Sequence, residues 1–135
     1  MKSDQARSDV IAFWLERSDE ALDSARSELD AGRLAFAVNR AYYACFYALS
    51  AVLLADGRKY VKHSGVRAAL HHHLIRSGQL EPSWGRLYDR VFESRHRGDY
   101  QELVVFEAAH VKELCRQAAE FVTQMRRLLE HTSEA

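Results

Sequence analysis

The chain has little of what sheet proteins and disulfide scaffolds are built from. It has one proline, six glycines and two cysteines in 135 residues. So few turn-formers, with apolar residues recurring at three- and four-residue spacings almost throughout, exclude a sheet architecture and predict an all-α domain. Cys45 and Cys115 sit in helical apolar patterns without metal-ligand spacing, which predicts reduced core thiols. No uninterrupted apolar run reaches the roughly 18 residues of a membrane span. The stretch 36–55 comes nearest, but Asn39, Arg40 and several tyrosines break it. The first residues, MKSDQARSDV, lack the apolar region of a signal peptide, so a cytoplasmic protein without membrane association is expected. Net charge is zero, which removes bulk electrostatics as a reason to bind nucleic acid.

Charge distribution says more than its sum. Between Gly57 and Leu80 there is no acidic residue, while Arg58, Lys59, Lys62, Arg67 and Arg76 fall in that window with His63 and the run His71-His72-His73. The first helix is the acidic counterweight, with Asp9, Glu16, Asp19, Glu20, Asp23, Glu28 and Asp30. The basic window can meet phosphates, or it can pair with that acidic helix within the domain or across a dimer.

Five helices in an up-and-down bundle are predicted, forming one domain over residues 5–130 with a frayed tail at 131–135. The first runs from about Asp9 to Leu29, with Ser8 as N-cap and Gly32 as terminator. The second, from about Arg33 to Ala55, carries alanines at 37, 41, 44, 48, 51 and 55, a small-residue stripe that admits a close neighbour. It is apolar nearly all round and should be central, with Asn39 and Arg40 in need of partners. The third starts at a Ser64 cap and ends at Ser77-Gly78. The fourth begins near Pro82 and ends at Gly98. In the fifth, Val111, Leu114, Ala118, Phe121, Met125 and Leu128 form a heptad face whose partner lies in the bundle or in a second copy.

Candidate chemistry concentrates at the end of the fourth helix. Trp84, Tyr88, Val91 and Arg95 follow one another at four, three and four residues, so Arg95 shares the stripe of three apolar side chains. A guanidinium placed there is costly to desolvate unless a phosphate or carboxylate meets it. The segment Arg95-His96-Arg97-Gly98-Asp99-Tyr100 could serve phosphoryl chemistry, with arginines stabilising a phosphorane and a histidine moving a ribose proton. The plainer alternative is that Arg95 and Arg97 neutralise the helix end and pair with Asp99. Lys62-His63-Ser64-Gly65 opens a helix, where free backbone N–H groups suit an anion or Ser64 simply caps. The histidine triplet spreads its rings about 100° apart per residue and does not make a metal site; no metal and no cofactor is called for. Tyr42, Tyr43, Phe46 and Tyr47 read as core.

Three segments, Asn39-Arg40-Ala41-Tyr42-Tyr43-Ala44-Cys45-Phe46-Tyr47-Ala48, Lys62-His63-Ser64-Gly65-Val66, and Arg95 through Asp99-Tyr100, together resemble the HEPN domain family in order and spacing. The resemblance implies a helical bundle that dimerises and brings two copies of the polar helix end together. It also implies a nucleotide or RNA ligand and a minimal nucleotidyltransferase as partner, in a toxin–antitoxin-like pair. On this resemblance, phosphate or nucleotide binding falls to Arg95, Arg97, Asp99, Lys62, His63, Ser64 and Arg40. Many members of the family are metal-independent endoribonucleases, for which Arg95, His96 and Tyr100 would be the catalytic set. Those members carry arginine, four to six residues, then histidine. Five residues after Arg95 this chain has Tyr100, a phenol, which is a poor base at neutral pH. Arg90 to His96, and Arg67 to His72 or His73, also meet the spacing from other starting points.

Overall fold

The computed structural model describes residues 2–101 and 103–134, and among them every regular element is helical. The elements are α1 (Lys2–Asp30), α2 (Leu34–Ala55), α3 (His63–Ala69) continued by a π-helical turn (Leu70–Ile75), α4 (Pro82–Tyr100) and α5 (Ala108–Glu134). No helix among the described residues is long and apolar enough to cross a membrane.

α1 and α2 form the predicted hairpin, and α2 is the central helix. Gly32 adopts φ +79°, the left-handed conformation that lets the chain reverse. Its N–H donates to the Leu29 carbonyl at 3.0 Å and the Arg33 N–H to the Glu28 carbonyl at 2.9 Å, a Schellman closure. The alanines at 37, 41, 44, 48 and 51 are fully buried, and α1 packs over this side of α2. The approach is close enough for the buried Ser18 hydroxyl to donate to the Ala44 carbonyl at 2.8 Å. On the opposite side, the Cys45 thiol meets the Ala118 carbonyl of α5 at 3.8 Å. The heptad face of α5 finds its partner inside the molecule: Val111, Leu114, Ala118, Phe121 and Met125 are all buried against the bundle.

Several boundaries differ from the sequence reading, each for a local reason. α1 begins at Lys2 rather than Asp9. Residues before Asp9 lack apolar period but contain good helix formers, and Gln5 donates to Asp9 one turn on at 2.9 Å, so Ser8 lies mid-helix and caps nothing. α3 begins at His63 with Lys62 in the capping position, so Ser64 is not its cap. Gly98 does not end α4, which continues to Tyr100. A Cβ at Gly98 would stand 3.0 Å from the Phe106 ring, so glycine there lets the following segment lie on the helix. α5 keeps helical backbone through His131 to Glu134, where the sequence predicts fraying; Ala135 lies outside the described residues.

Among the described residues, no ion pair within the chain joins the basic window to α1. Arg67 and His71 turn instead to α4: Arg67 Nε donates to Asp89 Oδ1 at 2.8 Å, His71 Nε2 lies 2.9 Å from the same oxygen, and Arg67 Nη2 reaches Glu93 at 3.1 Å. The acids of α1 pair elsewhere, Asp19 with Arg126 of α5, Asp23 with Arg26, and Glu28 with Arg33.

Candidate functional site

The stripe read from sequence is present in α4. Tyr88 and Val91 are fully buried and Trp84 packs against the core. Arg95 ends the stripe with its side chain only 12% exposed. What meets it is a set of groups from two helices. Arg95 Nε donates to Asp99 Oδ2 at 2.9 Å, and Nη2 donates to the Tyr43 hydroxyl at 3.3 Å. Its guanidinium carbon lies 5.1 Å from the Tyr42 ring centre, 5.5 Å from Tyr43 and 5.6 Å from Tyr100, within cation–π range.

Asn39 joins a second arginine to this group. Its amide Nδ2 donates to Asp99 Oδ2 at 3.1 Å, across 60 residues of sequence. Its Oδ1 accepts both Arg40 Nη2 at 2.7 Å and Arg40 Nε at 3.1 Å. Arg40 also stands 5.0 Å from the Tyr43 ring centre. The chain Arg40–Asn39–Asp99–Arg95 thus places two guanidiniums around one tyrosine with a single carboxylate between them. The balance is one positive charge, on donors that match a phosphate bidentately.

Behind the arginines lies a hydrogen-bonded pair, the fully buried Tyr42 and the half-buried His63. The Tyr42 hydroxyl is 2.6 Å from His63 Nδ1, and the His63 ring stacks on Phe46 with centres 4.3 Å apart. Burial first, and then the neighbouring Arg95 charge, hold His63 below the ordinary histidine value, so it is a neutral imidazole near pH 7. Burial pushes the Tyr42 phenol up to about 12. A protonated Tyr42 donating to Nδ1, with the imidazole proton on Nε2, satisfies both groups. The Tyr88 hydroxyl beyond it is buried and has no hydrogen-bond partner among the described residues.

The remaining candidates are not drawn in. His96 is exposed and tilts against the Tyr100 ring at 4.8 Å, at the rim of the cluster. Arg97 is two residues round the helix from Arg95, faces away and is exposed. Lys62 and Ser64 are exposed at the start of α3, and their side chains join none of the hydrogen bonds around Arg95. Of the sequence candidates, the structure therefore gathers Arg95, Asp99, Arg40, His63 and Tyr100, with His96 at the edge. Asn39 and Tyr43 complete the set. Asn39 was legible as a polar residue in an apolar helix; Tyr43 read only as core, although its half-buried position leaves the hydroxyl for Arg95.

Fold and site define an all-helical bundle that sets an arginine at the end of α4 beside a second arginine on a polar turn of the central helix. The HEPN domain profile matches residues 11–132, and the chain belongs to the HEPN domain family. It is 44% identical over 126 residues to the UPF0332 protein of Thermotoga maritima, covering 93% of this chain and 96% of that one. It is 30% identical over 90 residues to the Methanocaldococcus jannaschii protein called "Putative toxin MJ0605", covering 67% of each. In three dimensions it resembles TT1696 from Thermus thermophilus, with a TM-score of 0.73 at 18% identity over 87% of this chain and 97% of that one, a likeness of fold.

Proposed function

We propose that this HEPN protein binds RNA or a nucleotide through phosphate contacts at Arg95 and Arg40, acting as a homodimer. We further propose that it is the HEPN component of a pair with a minimal nucleotidyltransferase. The observation that carries the binding reading is the charge balance around Tyr43: two guanidiniums share one carboxylate, and Arg95 is already oriented by Asp99 and Tyr43. Dimerisation is supported by the apolar surface next to the site, where Tyr100, Leu103 and Val105 are all exposed. Leu103 also holds φ 58°, an unusual conformation for leucine, and is 98% exposed. Membership of the family, and a relative named "Putative toxin MJ0605", support the toxin–antitoxin-like context. Arg97, Lys62, Ser64 and His63 have lesser parts in this reading: the first three as outlying cationic or polar contacts, His63 as the half-buried support of Tyr42.

The test is fluorescence anisotropy of a short labelled single-stranded RNA in EDTA. Arg95→Ala should weaken binding at least tenfold, the scale of one charge-assisted contact of about 1.5–3 kcal/mol. Equal affinity of wild type and variant would end the reading. Calorimetry with the product of a neighbouring nucleotidyltransferase gene tests the partner.

A second reading, a metal-independent endoribonuclease, rests on the His96–Tyr100 contact beside Arg95. Across a dimer interface the exposed imidazole could act as general base on a ribose hydroxyl. It requires RNA cleavage in EDTA that His96→Ala abolishes; cleavage indifferent to both Arg95→Ala and His96→Ala would contradict it.

A further inference from the structure

A cavity of about 270 Å³ lies between the first part of α1, the end of α2 and the segment leading into α3, and no residue of the Arg95 cluster lines it. Its walls are Val10, Trp14, Leu53, Leu54 and Val66, with the Tyr60 ring closing one side. The far side of Trp14 packs 6.2 Å from the Phe46 ring centre and 5.6 Å from that of Tyr47. Tyr60 is held too: its ring lies over Gly65, where an added Cβ would come within 3.3 Å.

The rim has the opposite character. Arg7 of α1 and Arg58 and Lys59 of the connection all line the cavity, all are exposed, and none forms an ion pair among the described residues. The other arginine of the basic window that reaches the core side, Arg67, is satisfied by Asp89 and Glu93. Three unpaired cations around an apolar pocket whose segment 57–80 contains no acid are what an amphiphilic anion requires. Its body leaves water for the apolar wall, and its head meets guanidinium and ammonium donors at the mouth. A neutral apolar molecule would leave the cations without use, and a polyphosphate would leave the apolar wall without cover.

We infer that this cavity is a second binding site, for a free small monoanion with an aliphatic or aromatic body, such as a medium-chain carboxylate. Trp14 supplies the reporter. In the full chain carrying Trp84→Phe, titration with octanoate should change Trp14 emission along a saturable curve, and 1-octanol should bind at least tenfold more weakly. Arg58→Ala/Lys59→Ala should weaken octanoate binding about tenfold with an unchanged circular dichroism spectrum, and Arg7→Ala should weaken it several-fold. RNA affinity should not change with octanoate-site variants, which separates this site from the arginine cluster. The inference is overturned by no saturable change, by octanol binding as well as octanoate, by undiminished binding in folded Arg58→Ala/Lys59→Ala and Arg7→Ala, or by a response to anionic phospholipid vesicles without one to octanoate.

Discussion

Replacing Asp99 by asparagine separates two roles that its carboxylate combines. Asp99 holds Arg95 at 2.9 Å and accepts from Asn39 at 3.1 Å, but in the proposed function it also sets a negative charge where the phosphate approaches. For α4 itself the charge is badly placed. It stands in the last turn, where the helix dipole disfavours an anion by about 0.3–1 kcal/mol, and an arginine preceding an acid by four residues is the weaker order. The ion pair offsets this. Its side chains are 12% and 27% exposed, so about 1 kcal/mol, the upper end for surface pairs, is a fair magnitude. The substituted amide keeps a carbonyl oxygen for Arg95 and Asn39. Stability should therefore change by less than about 1 kcal/mol, a shift of a few degrees in Tm.

Binding should respond more strongly. A phosphate about 5 Å from the carboxylate is opposed by about 3 kcal/mol at an effective dielectric of about 20, reduced further by salt. Losing part of Arg95's orientation costs less, about 0.5–1 kcal/mol for one weakened hydrogen bond. The charge effect wins by about 2 kcal/mol, so Asp99→Asn should bind RNA roughly thirtyfold more tightly in low-salt EDTA buffer, measured by anisotropy, with a urea melt close to wild type. A folded Asp99→Asn that binds more weakly would refute the reasoning, since orientation or direct ligand contact would then outweigh repulsion.

On the proposed dimer, Leu103→Asp should leave the protein monomeric in light scattering, because it charges the exposed apolar surface beside Tyr100; a mass unchanged from a wild-type dimer would place the interface elsewhere. The fully buried Phe121, whose ring lies 5.5 Å from Tyr88, anchors α5, and Phe121→Ala should cost about 3–5 kcal/mol in chemical denaturation. The depressed pKa of His63 gives a pH signature. Unfolded His63 takes up a proton below about 6.5 while the folded residue resists, so its stabilising contribution is complete above that pH and falls as the medium is acidified through the folded value. The stability advantage of wild type over His63→Gln should accordingly shrink between pH 7 and pH 5, and an advantage that grows would reverse the assignment.

Much of the bundle was legible because its period is strong. The heptad of α5 and the alanine stripe of α2 each repeat over several turns, and both are buried apart from their last members, Leu128 and Ala55, which are half-buried. The stripe from Trp84 to Arg95 was legible for the same reason. Features set by contacts distant in sequence were not. Gly98 looks like a terminator until Phe106 is seen against it. The π-helical turn carries no residue signal, although it is where His71 meets Asp89 of α4. Asn39 announced that it needed a partner, but that partner is Asp99, and only the packing of α2 on α4 joins them.

The central claim is that the Arg95 guanidinium itself receives phosphate. The most direct measurement is the Arg95 Nε–Hε resonance during titration of ¹⁵N-labelled protein with short RNA, assigned by its absence in Arg95→Lys. The account predicts that this resonance shifts progressively and saturates with the anisotropy midpoint. An Arg95 resonance that stays in place while RNA binds and other signals move would contradict it.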